Sequence, residues 1–283
     1  MSSAKTFGNP TITPRDRRFG RKGGQRRWWL NGDPVGTAFY NALSVTFPKG
    51  EAYFVESVRA HRDGTPPALE AEINAFIRQE VNHSREHVAF NRHVTDQGYD
   101  VARLDADVDA ALALTKGRPP IANLAATMAL EHFTAMLAHE LLADPRHLDG
   151  ADPEAARMWR WHAVEEIEHK GVAYDTWLHA TRHWPRRRRW IVRALVMLRT
   201  TKRFVHGRIR GVLELLRQDG LSGPRVWWRV FRHAFISPGI VRRIAPAWLG
   251  YFRPGFHPWR HDDRQLIAGV DDDLPAQSLP EPA

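Results

Sequence analysis

The chain has 283 residues, 43% hydrophobic and 26% charged, with 11 Trp, 13 Phe and no Cys, a globular composition that excludes collagen-like and low-complexity chains. Without cysteine there are no disulfides, zinc ribbons, iron–sulfur clusters or thiol nucleophiles, so any metal must be held by His, Glu or Asp. The net charge of +9 is unevenly spread: residues 1–181 sum to −3, residues 182–264 to +16 with 20 basic against 4 acidic groups, and residues 265–283 carry 4 acidic groups and no basic one.

In chain order, residues 1–30 read as a basic arm rich in Gly, Pro and Arg (Arg15, Arg17, Arg18, Arg21, Lys22, Arg26, Arg27), with Trp28-Trp29 tucked under the first helices. Arg17-Arg18 superficially resembles a twin-arginine signal, but residues 28–36 are too short and too polar for its apolar core. No run of 18 apolar residues exists, so the expected location is cytoplasmic, with peripheral contact at the inner membrane face.

Residues 51–61 form a first helix carrying Tyr53, Phe54 and Val58, closed by Gly64, Pro66 and Pro67. Pro67 opens a long helix to about Gly98, and a shorter piece covers about Asp105 to Lys116. Residues 121–143, dense in Ala, Leu and Met, stop at Asp144-Pro145; Asp152-Pro153 then caps a helix running to about His183. Ile191, Leu195, Leu198, Val205, Ile209, Val212 and Leu216 recur at helical spacing in a further long helix, with shorter apolar-basic pieces at 226–235 and 240–248. The expected class is all-α: a metal-binding four-helix bundle over 31–184, a basic amphipathic helical extension over 185–264, and a disordered acidic tail over 265–283.

Two helices carry Glu-x-x-His, at Glu80–His83 and Glu166–His169. Residues i and i+3 share a helix face, so each pair presents a carboxylate and an imidazole to one point. Two such pairs in a chain with 15 His are near what chance gives, and their order decides more than their number. Bundles that hold two metal ions carry one Glu on each of two helices and Glu-x-x-His on each of the other two. Here the order Glu51, Glu80–His83, Glu131, Glu166–His169 follows that template, with Glu56 competing with Glu51 and Glu140 with Glu131. Each acid lies in an apolar stretch, where an uncompensated carboxylate costs several kcal/mol and a dication is a natural compensation.

The pattern His162-x-x-x-Glu166-x-x-His169, with Glu51 upstream of Glu80, resembles the seven-ligand di-iron arylamine N-oxygenases, a ferritin-like group. The wider chain, through Phe47-Pro48-x-Gly-Glu51, Gln79-Glu80-x-x-His83-x-x-x-His87 and His162-x-x-Glu165-Glu166-x-Glu168-His169-Lys170, resembles the bacterial family of predicted metal-dependent hydrolases over about residues 25–220. The resemblance implies a ferritin-like bundle with Glu51, Glu80, His83, Glu131, His162, Glu166 and His169 as ligands to two divalent metal ions. Iron is expected, with manganese and zinc as alternatives. His87 and Glu165 are the candidate catalytic residues. His87 lies one turn past His83, as an eighth ligand or a proton-transfer group. Glu165 and Gln79 occupy positions where ferritin-like proteins often carry a carboxylate that orients a ligand histidine, and Gln79 departs from that pattern. His132 and His139 are expected to support ligands or cap helices, and Glu86 and Glu168 to face solvent.

The expected function is O2-dependent oxidation of a small apolar or aromatic substrate, with an external electron donor. One alternative is hydrolysis by a metal-activated water, and another is a non-enzymatic, membrane-associated metal-binding bundle. Arg and Trp interleaved with apolar residues over 186–248 suit peripheral membrane contact, whereas no nucleic-acid module is present. A homodimer is compatible with the sequence. No nucleophile-elbow or Gly-rich phosphate motif is found.

Overall fold

The computed structural model describes residues 11–20 and 26–271, so Arg21, Lys22 and the last twelve residues of the expected acidic tail lie outside the described residues. Along the chain run α1 (Pro34–Ser44), α2 (Phe47–Arg59), α3 (Pro67–Asp96), α4 (Ala102–Ala113), α5 (Pro120–Ala143), α6 (Pro153–His169), α7 (Val172–Ala180), α8 (Arg186–Gln218), α9 (Pro224–Phe235), α10 (Ile240–Gly250) and α11 (Arg264–Asp271). The fold is all-α; among the described residues the only extended pairing is one isolated bridge between Leu30 and Ala151.

Local chemistry sets the helix starts. The Asp33 carboxylate accepts from the Val35 and Gly36 amides, and Asp152 from those of Glu154 and Ala155. Pro34, Pro67, Pro120 and Pro153 each stand in the first turn, where a missing N–H costs nothing. The bundle is α2, α3, α5 and α6: α2 packs on α3 and α5, and α6 packs on the same two helices. α5 is apolar all round because it is covered all round, meeting α2, α6, α7, α8 and α10. By length and composition it could cross a membrane, yet 72% of its most apolar stretch is buried inside the protein.

Several elements differ from the sequence expectation. The Glu51 helix begins at Phe47 and is second in the chain, behind α1, and α4 starts at Ala102. The helix expected to run to His183 breaks at Lys170-Gly171 into α6 and α7. There Lys170 Nζ turns to Asp263, 2.5 Å away, and a Cβ on Gly171 would stand 2.8 Å from Trp259 Nε1. The tail expected to be disordered from residue 265 instead begins as α11, which packs on α6 and α5 and buries Val270. The apolar stripe of α8 also divides. Val212 and Leu216 enter the core, but Ile191, Leu195, Leu198, Val205 and Ile209 stay between 37% and 50% exposed.

Candidate metal centre

Helical spacing places every acidic and imidazole group of the template on an inward face. Glu51 comes from α2, Glu80 and His83 from α3, Glu131 from α5, and His162, Glu166 and His169 from α6, and all seven are buried. They gather in two groups, Glu51, His83, His162 and Glu166 in one and Glu80, Glu131 and His169 in the other, each with its donor atoms within 4.8 Å of one another. Glu166 stands between them. Its Oε1 lies 3.2 Å from His162 Nε2 and 3.6 Å from His83 Nδ1, while its Oε2 lies 3.5 Å from His169 Nε2. The competing acids are elsewhere: Glu56 is exposed, and Glu140 faces Arg243 at 3.7 Å.

Each histidine spends one ring nitrogen on a protein partner. His83 Nε2 donates to Glu165 Oε2 at 3.0 Å, and His169 Nδ1 donates to Gln79 Oε1 at 3.0 Å. His162 Nδ1 lies 3.0 Å from His87 Nε2, His87 Nδ1 lies 2.8 Å from Ser44 Oγ, and Ser44 donates to Asn91 Oδ1 at 2.7 Å. Because the Ser44 proton goes to Asn91, His87 Nδ1 must donate to Ser44, and His87 Nε2 then accepts from His162. In their neutral forms all three ligand histidines thereby turn a lone pair toward the carboxylates.

The residue before the Glu of each Glu-x-x-His pair reaches the histidine of the other pair, Glu165 to His83 and Gln79 to His169. Gln79 is itself held in place, its amide nitrogen donating to Glu168 Oε2 at 2.8 Å and Glu168 being held by Arg15 at 2.8 Å. Glu168 and Glu86 are therefore buried rather than facing solvent as the sequence suggests. The arm covers them: Thr13 N and the Arg15 guanidinium donate to Glu168, Arg15 N donates to Glu165 at 2.7 Å, and Phe19 N donates to Glu86 at 2.8 Å. Arg15, Glu168, Ser44 and Asn91 are the supporting residues that sequence reasoning missed. Ser84, which donates to Glu51 Oε2 at 2.7 Å, is another.

Burial, reinforced by neighbouring carboxylates, raises the Glu51, Glu80 and Glu131 carboxyls well above the usual range. Burial would raise Glu166 too, but His169 and His162 hold it well below that range. Burial and the adjacent His162 keep His83 and His87 neutral, and burial pushes Glu165 up to about 8 against the pull of Arg15. Among these seven side chains Glu51 Oε1, both oxygens of Glu80 and of Glu131, His83 Nδ1, His162 Nε2, Glu166 Oε2 and His169 Nε2 are buried with no hydrogen-bond partner. So many orphaned acceptors at one locus are costly in a protein interior. Fully ionised, four carboxylates carry four negative charges, which two dications neutralise, so the donor set fits a pair of divalent metal ions.

His87 and Glu165 stay outside both donor groups and touch them only through His162 and His83. His132 and His139 also stand apart, the first against Tyr251 and the Ala247 carbonyl, the second 2.8 Å from Asp263. An apolar cavity lined by Phe39, Leu43, Phe47, Leu137, Trp159 and Ile240, among others, reaches His162 and Glu166.

A family model described as predicted metal-dependent hydrolase matches residues 13–262. No curated protein and no solved structure matches the chain.

Proposed function

Since the chain belongs to the predicted metal-dependent hydrolase family, we propose that its seven convergent side chains hold two divalent metal ions and that the protein is a dinuclear-metal enzyme acting on a small apolar substrate. The observation that carries this reading is the set of partnerless buried donor atoms facing one another across Glu166. Glu51, His83 and His162 would serve one ion, Glu80, Glu131 and His169 the other, with Glu166 shared. Bound iron would supply activation of O2 for oxidation of the substrate, drawing on an external electron donor.

The chain's own residues do the rest. Glu165, Gln79 and His87 fix which nitrogen of each histidine is a lone pair. They act through the ligands and are positioning residues. The apolar walls of the Phe39–Ile240 cavity would keep bulk water from His162 and Glu166, and the cavity would have to widen to admit an apolar molecule there. The carboxylate-rich donor set and the apolar wall favour oxidation. The family description favours a second reading, hydrolysis by a metal-activated water.

The test begins with metal content on protein purified after iron supplementation, beside Glu166→Ala and His169→Ala. About two Fe per chain, lost in both variants, is the expected result. A folded parent with no metal would overturn the reading. Turnover of aryl substrates and esters with and without O2 then separates the chemistries, because hydrolysis survives anaerobic conditions.

A further inference from the structure

Among the described residues, thirteen of the seventeen large apolar side chains left exposed lie in residues 190–249, a stretch with 12 basic and 2 acidic residues. α9 concentrates them. One edge of its apolar arc is used on the protein body, where Val226 is buried and Val230 half-buried, and Arg229 reaches Asp33 beyond the start of α1 at 3.1 Å. The arc continues past that edge, and Trp227, Trp228, Phe231 and Phe235 remain 44–58% exposed. Three of these rings form a ladder along the helix, Trp228 on Phe231 at 5.6 Å and Phe231 on Phe235 at 4.9 Å. Soluble monomers rarely leave so contiguous an apolar patch open to water.

The surrounding charge identifies what covers it. No Asp or Glu occurs between Asp219 and Asp262, whereas Arg225 and Arg232 flank the ladder and are exposed. A second copy of the chain would bring one cationic block against another. Nucleic acid would satisfy the cations but leave the aliphatic Ile236, Val241 and Leu249 exposed. An anionic bilayer satisfies both: arginines meet headgroups, Trp lies at the interface, and the apolar groups enter the acyl boundary.

We propose that the exposed face of α9 is a docking surface for membranes rich in anionic lipid. The full chain is floated with vesicles of phosphatidylcholine alone and with about 30 mol % phosphatidylglycerol. Binding to the anionic vesicles should exceed that to neutral ones by roughly tenfold or more and weaken with salt. Trp228→Glu with Phe231→Glu should abolish it while the melting temperature is kept. Arg225→Ala with Arg232→Ala, which leaves the rings in place, should reduce it by roughly tenfold. Failure of the parent to float with anionic vesicles would overturn the proposal. So would a parent dimer that the ring variants convert to monomer, or a random oligonucleotide bound in place of vesicles with the same sensitivity to the variants.

Discussion

Glu165→Gln keeps the shape of the group that accepts from His83 Nε2 at 3.0 Å and removes its ability to ionise. A ligand histidine braced by a carboxylate is the more basic donor, so metal affinity should fall roughly 10- to 100-fold in competition against a chelating dye. Unchanged affinity would detach Glu165 from the centre. Arg15→Ala strips Glu168 of a guanidinium in a pair whose side chains are only 13% and 3% exposed, and should cost about 3 kcal/mol in urea unfolding. Saturating metal should still fill the variant, because Arg15 touches no donor atom of the two groups. The seven donors are readable in the sequence because spacings of three and four fix a helix face whatever packs against it. Arg15 is not, since its partners lie 150 and 153 residues away and an extended arm has no periodicity to betray its target. Glu86 and Glu168 look solvent-facing for the same reason.

A helix can be broken by something far along the chain, and α6 and α7 are separated in that way. Gly171 is only a weak local stop after His169, whereas Trp259 and Asp263, some 90 residues on, occupy the space and draw off Lys170. Gly171→Ala should therefore lower stability by roughly 1–3 kcal/mol, read by thermal unfolding, despite the better helix propensity of alanine. A stabilised variant would show that Trp259 yields freely. α8 teaches the converse lesson. Its stripe is a true helical period, but period tells which residues share a face, not whether the protein body covers it, and five of the seven residues of that stripe are left exposed. α5 is legible as buried only once its neighbours are known, since its composition alone suits a bilayer equally well.

Over the whole molecule, metal and protons compete for the same interior. Burial raises Glu51, Glu80 and Glu131, so the metal-free fold keeps protons on carboxyls that must be ionised to bind. Uptake of metal should release protons, and affinity should rise as pH increases from about 6 to 8. Calorimetry in buffers of different ionisation enthalpy measures that release directly, and proton uptake or a flat profile would contradict the assignment of these carboxyls. The arm adds a consequence in time. Thr13 and Arg15 leave the ribosome some 150 residues before Glu165 and Glu168, which they clasp. The bonds from Thr13 and Arg15 to α6 must therefore wait through synthesis of the rest of the bundle, and the braces behind His83 and His169 are completed only when α6 is made. A nascent chain halted before α6 lacks His162, Glu166 and His169, so the full donor set exists only once α6 is made, and assembly of the centre is a late step of maturation.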